Sequence, residues 1–295
     1  MKGLVILNRN GGTAGHDVEQ RVTDALRANG LSAEVIALEG RECASRATAA
    51  RDEERPFIAA GGGDGTVSVV AGILAGSDVP LGILPLGTLN HFARDLGIPT
   101  DLQEAVAVLA TGRRCRVDVA EVNGRIFINN SAIGLYPLMV LDRESQRKRL
   151  GRSKRLAMLV AGARTLIRFR HHRLLLTIND AERATLDTPL LFVGSNDYAL
   201  VLPEVGKRQN LNDGQLCVVI LRSRSRAGLI AAVLRALVGE TRADDLIRLD
   251  DVTRLRVSSR RSHLAVAIDG ETEHFPTPLD YRIRPAALTV LAPIE

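Results

Sequence analysis

A chain of 295 residues with 45% hydrophobic content can bury a substantial core, and its length favours two domains over one. Aromatics make up only 3% and Trp is absent, so that core must be packed from Val, Ile, Leu and Ala, as in parallel sheets covered by helices. The formal charge of +5 points to an anionic partner without separating nucleotide, nucleic acid and lipid headgroup, while Cys43, Cys115 and Cys217 lack the paired spacing of a zinc site or disulfide framework.

The first apolar run, "LVIL", meets Asn8 and Arg9 too soon for a secretory leader, and no later stretch is long enough to cross a bilayer. A cytoplasmic protein is expected, at most peripheral at the inner face of a membrane. Through the first 112 residues short apolar runs alternate with helical patterns: a helix near Asp17 to Asn29, the strand "AEVIAL", a helix near Arg41 to Asp52, the strand "PFIAA", a helix from Thr66, and the strand "LGIL". The last helix, "LQEAVAVLATG", takes Thr100 and Gln103 as a capping box and Gly112 as its stop. This predicts an α/β doubly wound domain over residues 1–119, with ligands at the carboxyl ends of its strands.

Beyond Val117 the texture becomes strand-like: "VDVAEVNGRIFINN", "RLLLTIND", "PLLFVGSND", "NDGQLCVVIL", "RLRVSS", "LAVAIDGETEHF" and "ALTVLAP". Asn123-Gly124 and Asp269-Gly270 are two-residue hairpin signals, so most of these strands should pair antiparallel. A mainly antiparallel, sandwich-like β domain is expected over 120–295, its last residues returning to the first domain. Helical insertions around Asp142 to Arg170 and Arg226 to Val238 interrupt it.

The stretch "AAGGGDGT" follows a strand and opens a helix, which directs free backbone N–H groups to a place where glycine lets a ligand approach closely. It is not a Walker A loop, having no lysine, and Thr66 stands where a dinucleotide fingerprint needs its third glycine. Asp64 beside phosphates is repulsive unless a divalent cation bridges them, so it argues for Mg²⁺ carried in with a nucleotide. The plainer reading is a tight turn with Asp64 as N-cap. Two further loops at the same rim favour a site: "LNRNGGTAG", with Asn8, Gly11 and Gly12, and "PLGTLNHFARDLG", with Gly87, Thr88 and Asn90.

"GGDGT" at Gly62 to Thr66 followed by "PLGTLNHFAR" at Pro85 to Arg94 resembles the diacylglycerol kinase catalytic-domain family, which includes sphingosine kinases and soluble bacterial lipid kinases. The likeness continues in "VDVAEVNGRIFINNSAIG", "LNDGQL" and "IDGE" and so covers nearly the whole chain; "GGDGT" alone also resembles NAD kinases and phosphofructokinases. The resemblance implies an ATP- and Mg²⁺-dependent lipid kinase acting on a diacylglycerol-like, sphingoid or phosphatidylglycerol hydroxyl. It implies that Gly62, Gly63, Asp64, Gly65 and Thr66 hold the ATP phosphates and metal, with Asn8, Gly12 and Thr88 lining the nucleotide site. It also implies a general base at Asp269 or Glu271, and a structural Mg²⁺ on the loop bearing Asn210, Asp213 and Gln215. On spacing alone, Asp269-Gly270 and Asp213-Gly214 are hairpin or turn residues, and Asp118 is a polar residue at a domain junction. Ser68, Arg9, Glu39 with Gly40, and Cys217 depart from the family pattern. An NAD-kinase-like enzyme of a soluble substrate and a catalytically silent nucleotide- or lipid-binding regulator are the competing readings.

Between Asp142 and Arg173 eleven Lys or Arg face two acids, a net +9 that leaves the rest of the chain at −4. Leu156, Leu159, Val160, Ala163 and Ile167 share one helical face, so this basic segment suits either an anionic membrane surface or a solvated helix on its own domain. Nucleic acid is not an expected partner, since no RNA-binding aromatic motif or zinc finger is visible. Oligomeric state is left open, a homodimer included.

Overall fold

A computed structural model describes residues 2–9, 17–134, 171–199, 208, 210–222, 228 and 246–294. Four short apolar runs form the parallel strands β1 (Gly3–Asn8), β2 (Ala33–Leu38), β3 (Ile58–Gly62) and β4 (Leu81–Pro85), in the order β2-β1-β3-β4. Every residue of β3 and β4 is buried, as expected for strands covered on both faces. The helices are α1 (Val18–Ala28), α2 (Arg41–Asp52), α3 (Asp64–Leu74), α4 (His91–Asp95) and α5 (Leu102–Thr111).

Three local expectations are corrected. Helix α3 begins two residues earlier than Thr66, because Gly63 is the extended residue (φ −90°, ψ −177°) and Asp64 is already helical; Asp64 is therefore not the N-cap. Helix α5 is capped by Asp101 and not by a Thr100 box, since the Asp101 carboxylate accepts from the N–H groups of Gln103 and Glu104 at 2.9 and 3.1 Å. Helix α4 was not anticipated. Asn90, in the left-handed region at φ +49°, turns the chain into it.

The remaining strands are β5 (Arg113–Val122), β6 (Arg125–Phe127), β7 (Asn130–Gly134), β8 (His172–Ile178), β9 (Glu182–Thr188), β10 (Leu190–Ser195), β11 (Leu216–Leu221), β12 (Leu246–Val252), β13 (Arg254–Ser259), β14 (His263–Ile268), β15 (Glu271–Pro276) and β16 (Leu279–Ala292). One antiparallel sheet runs β12-β11-β10-β7-β14-β15. The other continues the parallel strands through β16 into β13, β8 and β9, with β5 laid against β16 and β6 against β5. A second core fills the space between them, including Phe127, Ile133, Leu174, Val193, Val218, Val266 and Tyr281.

Both hairpin signals hold. Val122 pairs with Arg125 across Asn123 (φ +47°) and Gly124 (φ +83°), and Ile268 pairs with Glu271 across Asp269 (φ +46°) and Gly270 (φ +89°). Two positive φ values in succession are the signature of the type I′ turn, whose twist matches the flanking strands. Strands β9 and β12 escaped the sequence reading for a common reason. Both are end strands of their sheets, β9 carries charge at Arg183 and Asp187, and β12 is mostly half-buried or exposed, so neither shows a strong apolar period.

Candidate active site

The carboxyl end of β3 delivers Gly62 and Gly63 to the start of α3, where no side chain caps the first turn. The unfilled N–H groups of such a turn, with the helix dipole behind them, form an anion site. Glycine is required here by close approach. A Cβ on Gly62 would lie 2.6 Å from Thr66 Oγ1, and a Cβ on Gly87 would lie 2.4 Å from the Cα of Gly63, so the two glycine loops touch through bare backbone. Asn90 fixes the second loop: its amide donates to the carbonyls of Pro85 and Gly87 at 3.1 and 3.0 Å and its Oδ1 accepts from Gly87 N–H at 3.1 Å. Thr88 stands exposed on that loop. From the end of β1, the Asn8 amide donates to Thr66 Oγ1 at 2.9 Å. Asn8 and the two glycine loops thus meet at one rim. Gly11 and Gly12 lie outside the described residues.

Asp64, the first residue of α3, accepts the Phe92 N–H at 3.3 Å and so ties the first turn of α3 to α4. From the β domain, the hairpin between β14 and β15 reaches over this turn. A Cβ built on Gly65 would find Glu271 Oε1 at 3.5 Å, which sets a carboxylate facing the helix start. Asp269 behaves differently. It is half-buried and accepts four hydrogen bonds: from Ser68 Oγ at 2.5 Å and from the N–H groups of Ile128, Asn129 and Asn130 at 3.0, 2.9 and 3.0 Å. Burial pushes its carboxyl up from the ordinary range, and those four donors pull back against that shift. Its oxygens are engaged in holding the turn, whereas Glu271 is exposed at the start of β15.

A buried arginine that the sequence reading missed stands behind this hairpin. Arg208 donates from Nε to Asp95 Oδ2 at 2.7 Å, from Nη1 to the Ile128 carbonyl at 2.5 Å and from Nη2 to Asn129 Oδ1 at 2.9 Å. Its guanidinium lies 5.6 Å from the Phe92 ring centre and 5.3 Å from that of Tyr198. Burial raises the Asp95 carboxyl against the opposing pull of this guanidinium. Nothing in "GKRQN" distinguishes Arg208 from a surface arginine, because its partners come from distant segments.

Comparison with known proteins gives this geometry a family. Residues 2–122 match the model of the diacylglycerol kinase catalytic domain, and residues 140–292 match that of the YegS C-terminal NAD kinase beta sandwich-like domain. The Bacillus subtilis (strain 168) diacylglycerol kinase is 30% identical over 236 residues, which cover 78% of this chain and 77% of that one. The chain belongs to the diacylglycerol kinase family. Staphylococcus aureus (strain bovine RF122 / ET3-1) diacylglycerol kinase is 28% identical over 75% of this chain and 70% of its own. A solved structure of a diacylglycerol kinase from Bacillus anthracis str. Sterne shares the fold at a TM-score of 0.70 and 19% identity, covering 99% of this chain and 96% of that one.

Within this diacylglycerol kinase family member, the departures from the pattern have definite structural places. Ser68 is the hydroxyl that reaches Asp269 from α3, and Gly40, at φ +46°, is the turn residue that starts α2 after Glu39. Arg9 donates to the Ala37 carbonyl beyond β1, and Cys217 is buried in β11 with its thiol pushed up by desolvation. The loop bearing Asn210, Asp213 and Gln215 is held elsewhere by hydrogen bonds: Gly214 N–H donates to Asp118 Oδ2 at 2.8 Å, Asp213 N–H to Asn196 Oδ1 at 3.0 Å, and Asn210 Oδ1 accepts from Asn212 N–H at 3.0 Å. The second Asp118 oxygen accepts the Ala286 N–H at 2.8 Å. Among the described residues no three His, Cys, Asp or Glu side chains cluster as a metal site, and no helix is long and apolar enough to cross a membrane. The basic segment from Asp142 lies outside the described residues up to position 170.

Proposed function

We propose that the protein transfers the γ-phosphoryl group of ATP to the hydroxyl of a lipid alcohol. The observation that carries this reading is the Glu271 carboxylate, set opposite the uncapped first turn of α3. In the step, Glu271 takes the proton of the acceptor hydroxyl while its oxygen forms a bond to phosphorus. The bond from phosphorus to the bridging oxygen breaks and ADP leaves. The main-chain N–H groups at Asp64 and Gly65 face the developing negative charge, and Asn8, through Thr66, fixes the approach of β1 to that turn. Asp269 is the anchor of the hairpin and Glu271 the base.

The donor set suits a magnesium ion that arrives with the nucleotide: Asp64 spends one oxygen on Phe92 N–H and retains the other, a hard ligand of the kind Mg²⁺ accepts alongside phosphate oxygens and water. Bound there, the ion would neutralise phosphate charge. A structural cation on the Asn210–Gln215 loop would draw first on Asp213, which spends Oδ2 on the Asp197 N–H at 3.4 Å, because the Asp118 oxygens and Asn210 Oδ1 already accept N–H groups. The acceptor class rests on the kinship with diacylglycerol kinases, and the basic run from Asp142 to Arg173 supports delivery from an anionic membrane face.

Purified protein with labelled ATP, Mg²⁺ and a panel of lipid alcohols in vesicles tests the reading. Label should enter a lipid phosphate, and Glu271→Gln should lower kcat by about 10²-fold or more at little change in ATP affinity. Equal transfer by wild type and variant removes Glu271 as base. Transfer to NAD with no lipid present, or none to any lipid alcohol, overturns the proposal.

A further inference from the structure

The contacts of Arg208 close a ring around the start of α3. Asp64, at the helix start, holds the Phe92 N–H of α4 at 3.3 Å. Three residues on, Asp95 of α4 accepts from Arg208 at 2.7 Å. Arg208 in turn grips the Ile128 carbonyl and Asn129 Oδ1. The N–H groups of Ile128, Asn129 and Asn130 hold Asp269, and Asp269 accepts from Ser68, one turn into the same α3. Both ends of the ring are therefore on one helix turn, and the hairpin that bears Glu271 hangs from its far side.

We infer that Arg208 is a positioning residue for phosphoryl transfer, holding the 128–130 turn, and through Asp269 the Glu271 hairpin, in register with the phosphate loop. The inference rests on the reading of Glu271 as base. Its physical ground is the planar guanidinium, which can donate to several acceptors at fixed angles; an ammonium in its place supplies one compact charge without that fork. At 1% side-chain exposure Arg208 has no solvent to replace a lost partner. The Phe92 and Tyr198 rings pack against the guanidinium, their centres 5.6 and 5.3 Å from its carbon, and so restrict its swing. The catalytic consequence follows from how steeply reactivity depends on placement: a displacement of the order of 1 Å at the base costs about 10²-fold.

The test compares wild type, Arg208→Lys, Asn129→Ala and the double variant. The measurements are kcat, KM for ATP, the pH dependence of kcat, and amide hydrogen exchange at Ile128, Asn129 and Asn130. Arg208→Lys should lower kcat by about 10- to 100-fold with KM for ATP within about threefold, and should shift the acid limb of the kcat profile, which reports the base. Exchange at the three amides should quicken by about tenfold or more. Asn129→Ala leaves the Asp95 pair in place and should show the same pattern more weakly. The double variant should be little worse than Arg208→Lys, since both cut one path. If Arg208→Lys does not fold, Asn129→Ala decides alone. Unchanged exchange together with an unmoved pH profile overturns the inference, as does a loss confined to KM. A wild type that phosphorylates no lipid alcohol overturns the kinase reading and with it the catalytic purpose assigned to Arg208, while the exchange rates separately uphold or refute its hold on the turn.

Discussion

Replacing Gly65 by alanine should make the protein more stable and less active. Gly65 is the second residue of α3, and its φ is not in the left-handed region, so alanine adopts the same backbone without strain. The added methyl meets Glu271 Oε1 at 3.5 Å, an ordinary contact, so no atom of the folded chain must move. Alanine loses less backbone entropy than glycine on entering a helix, which is worth about 0.5–1 kcal/mol. For a protein of this size that raises Tm by roughly 1–4 °C. On the proposed reading, the same methyl crowds the space between the main-chain N–H groups and the Glu271 carboxylate, where the γ-phosphate would be held. Loss of one such donor contact costs about 10²–10³-fold in rate, or roughly 3–4 kcal/mol of transition-state stabilisation. Scanning calorimetry without nucleotide and transfer from labelled ATP with Mg²⁺ measure the two effects. A lowered Tm, or kcat/KM retained within about threefold, would refute the reasoning.

Gly87→Ala should act in the opposite sense on stability, because its Cβ would stand 2.4 Å from the Gly63 Cα and must part the two loops. A loss of about 1–3 kcal/mol in urea unfolding is expected, accompanied by weaker ATP binding. Asp101→Ala should cost about 1 kcal/mol through its lost cap and leave kcat unchanged, whereas Thr100→Ala should leave the melting curve where it is; equal effects would return the cap to Thr100. The Tyr198 and Tyr281 phenols are pushed above their ordinary value of about 10, chiefly by burial. The native state therefore favours their neutral forms, a stabilisation present in full below about pH 10 and lost as pH rises further. Phenolate absorbance from these two should appear only as the protein unfolds in alkali, and titration near pH 10 in the folded state would contradict the structure.

Periodicity, punctuation and turn chemistry in the sequence were enough to determine the βα alternation up to α5, the antiparallel pairing beyond it and both type I′ hairpins. Each depends on residues close together in the chain: the span of α2 from Arg41 to Asp52, or the positive φ required at Asn123-Gly124 and Asp269-Gly270. The glycine loop after β3 was legible for the same reason, since strand, glycines and helix start are contiguous. End strands β9 and β12 were not, because a strand with one weakly apolar face leaves little period to read. What only the tertiary structure decided are contacts between segments that no spacing relates. The Ser68 hydroxyl finds Asp269 across 201 positions, and Arg208 joins Asp95, Ile128 and Asn129. The division of labour between the two acids of "IDGE" is of this kind as well: neighbours on one hairpin, they differ because Asp269 turns inward onto four donors while Glu271 faces Gly65. A side chain's identity sets what it can donate or accept, but burial and partners set which of those capacities remains free, and those arise only when the two sheets close on each other.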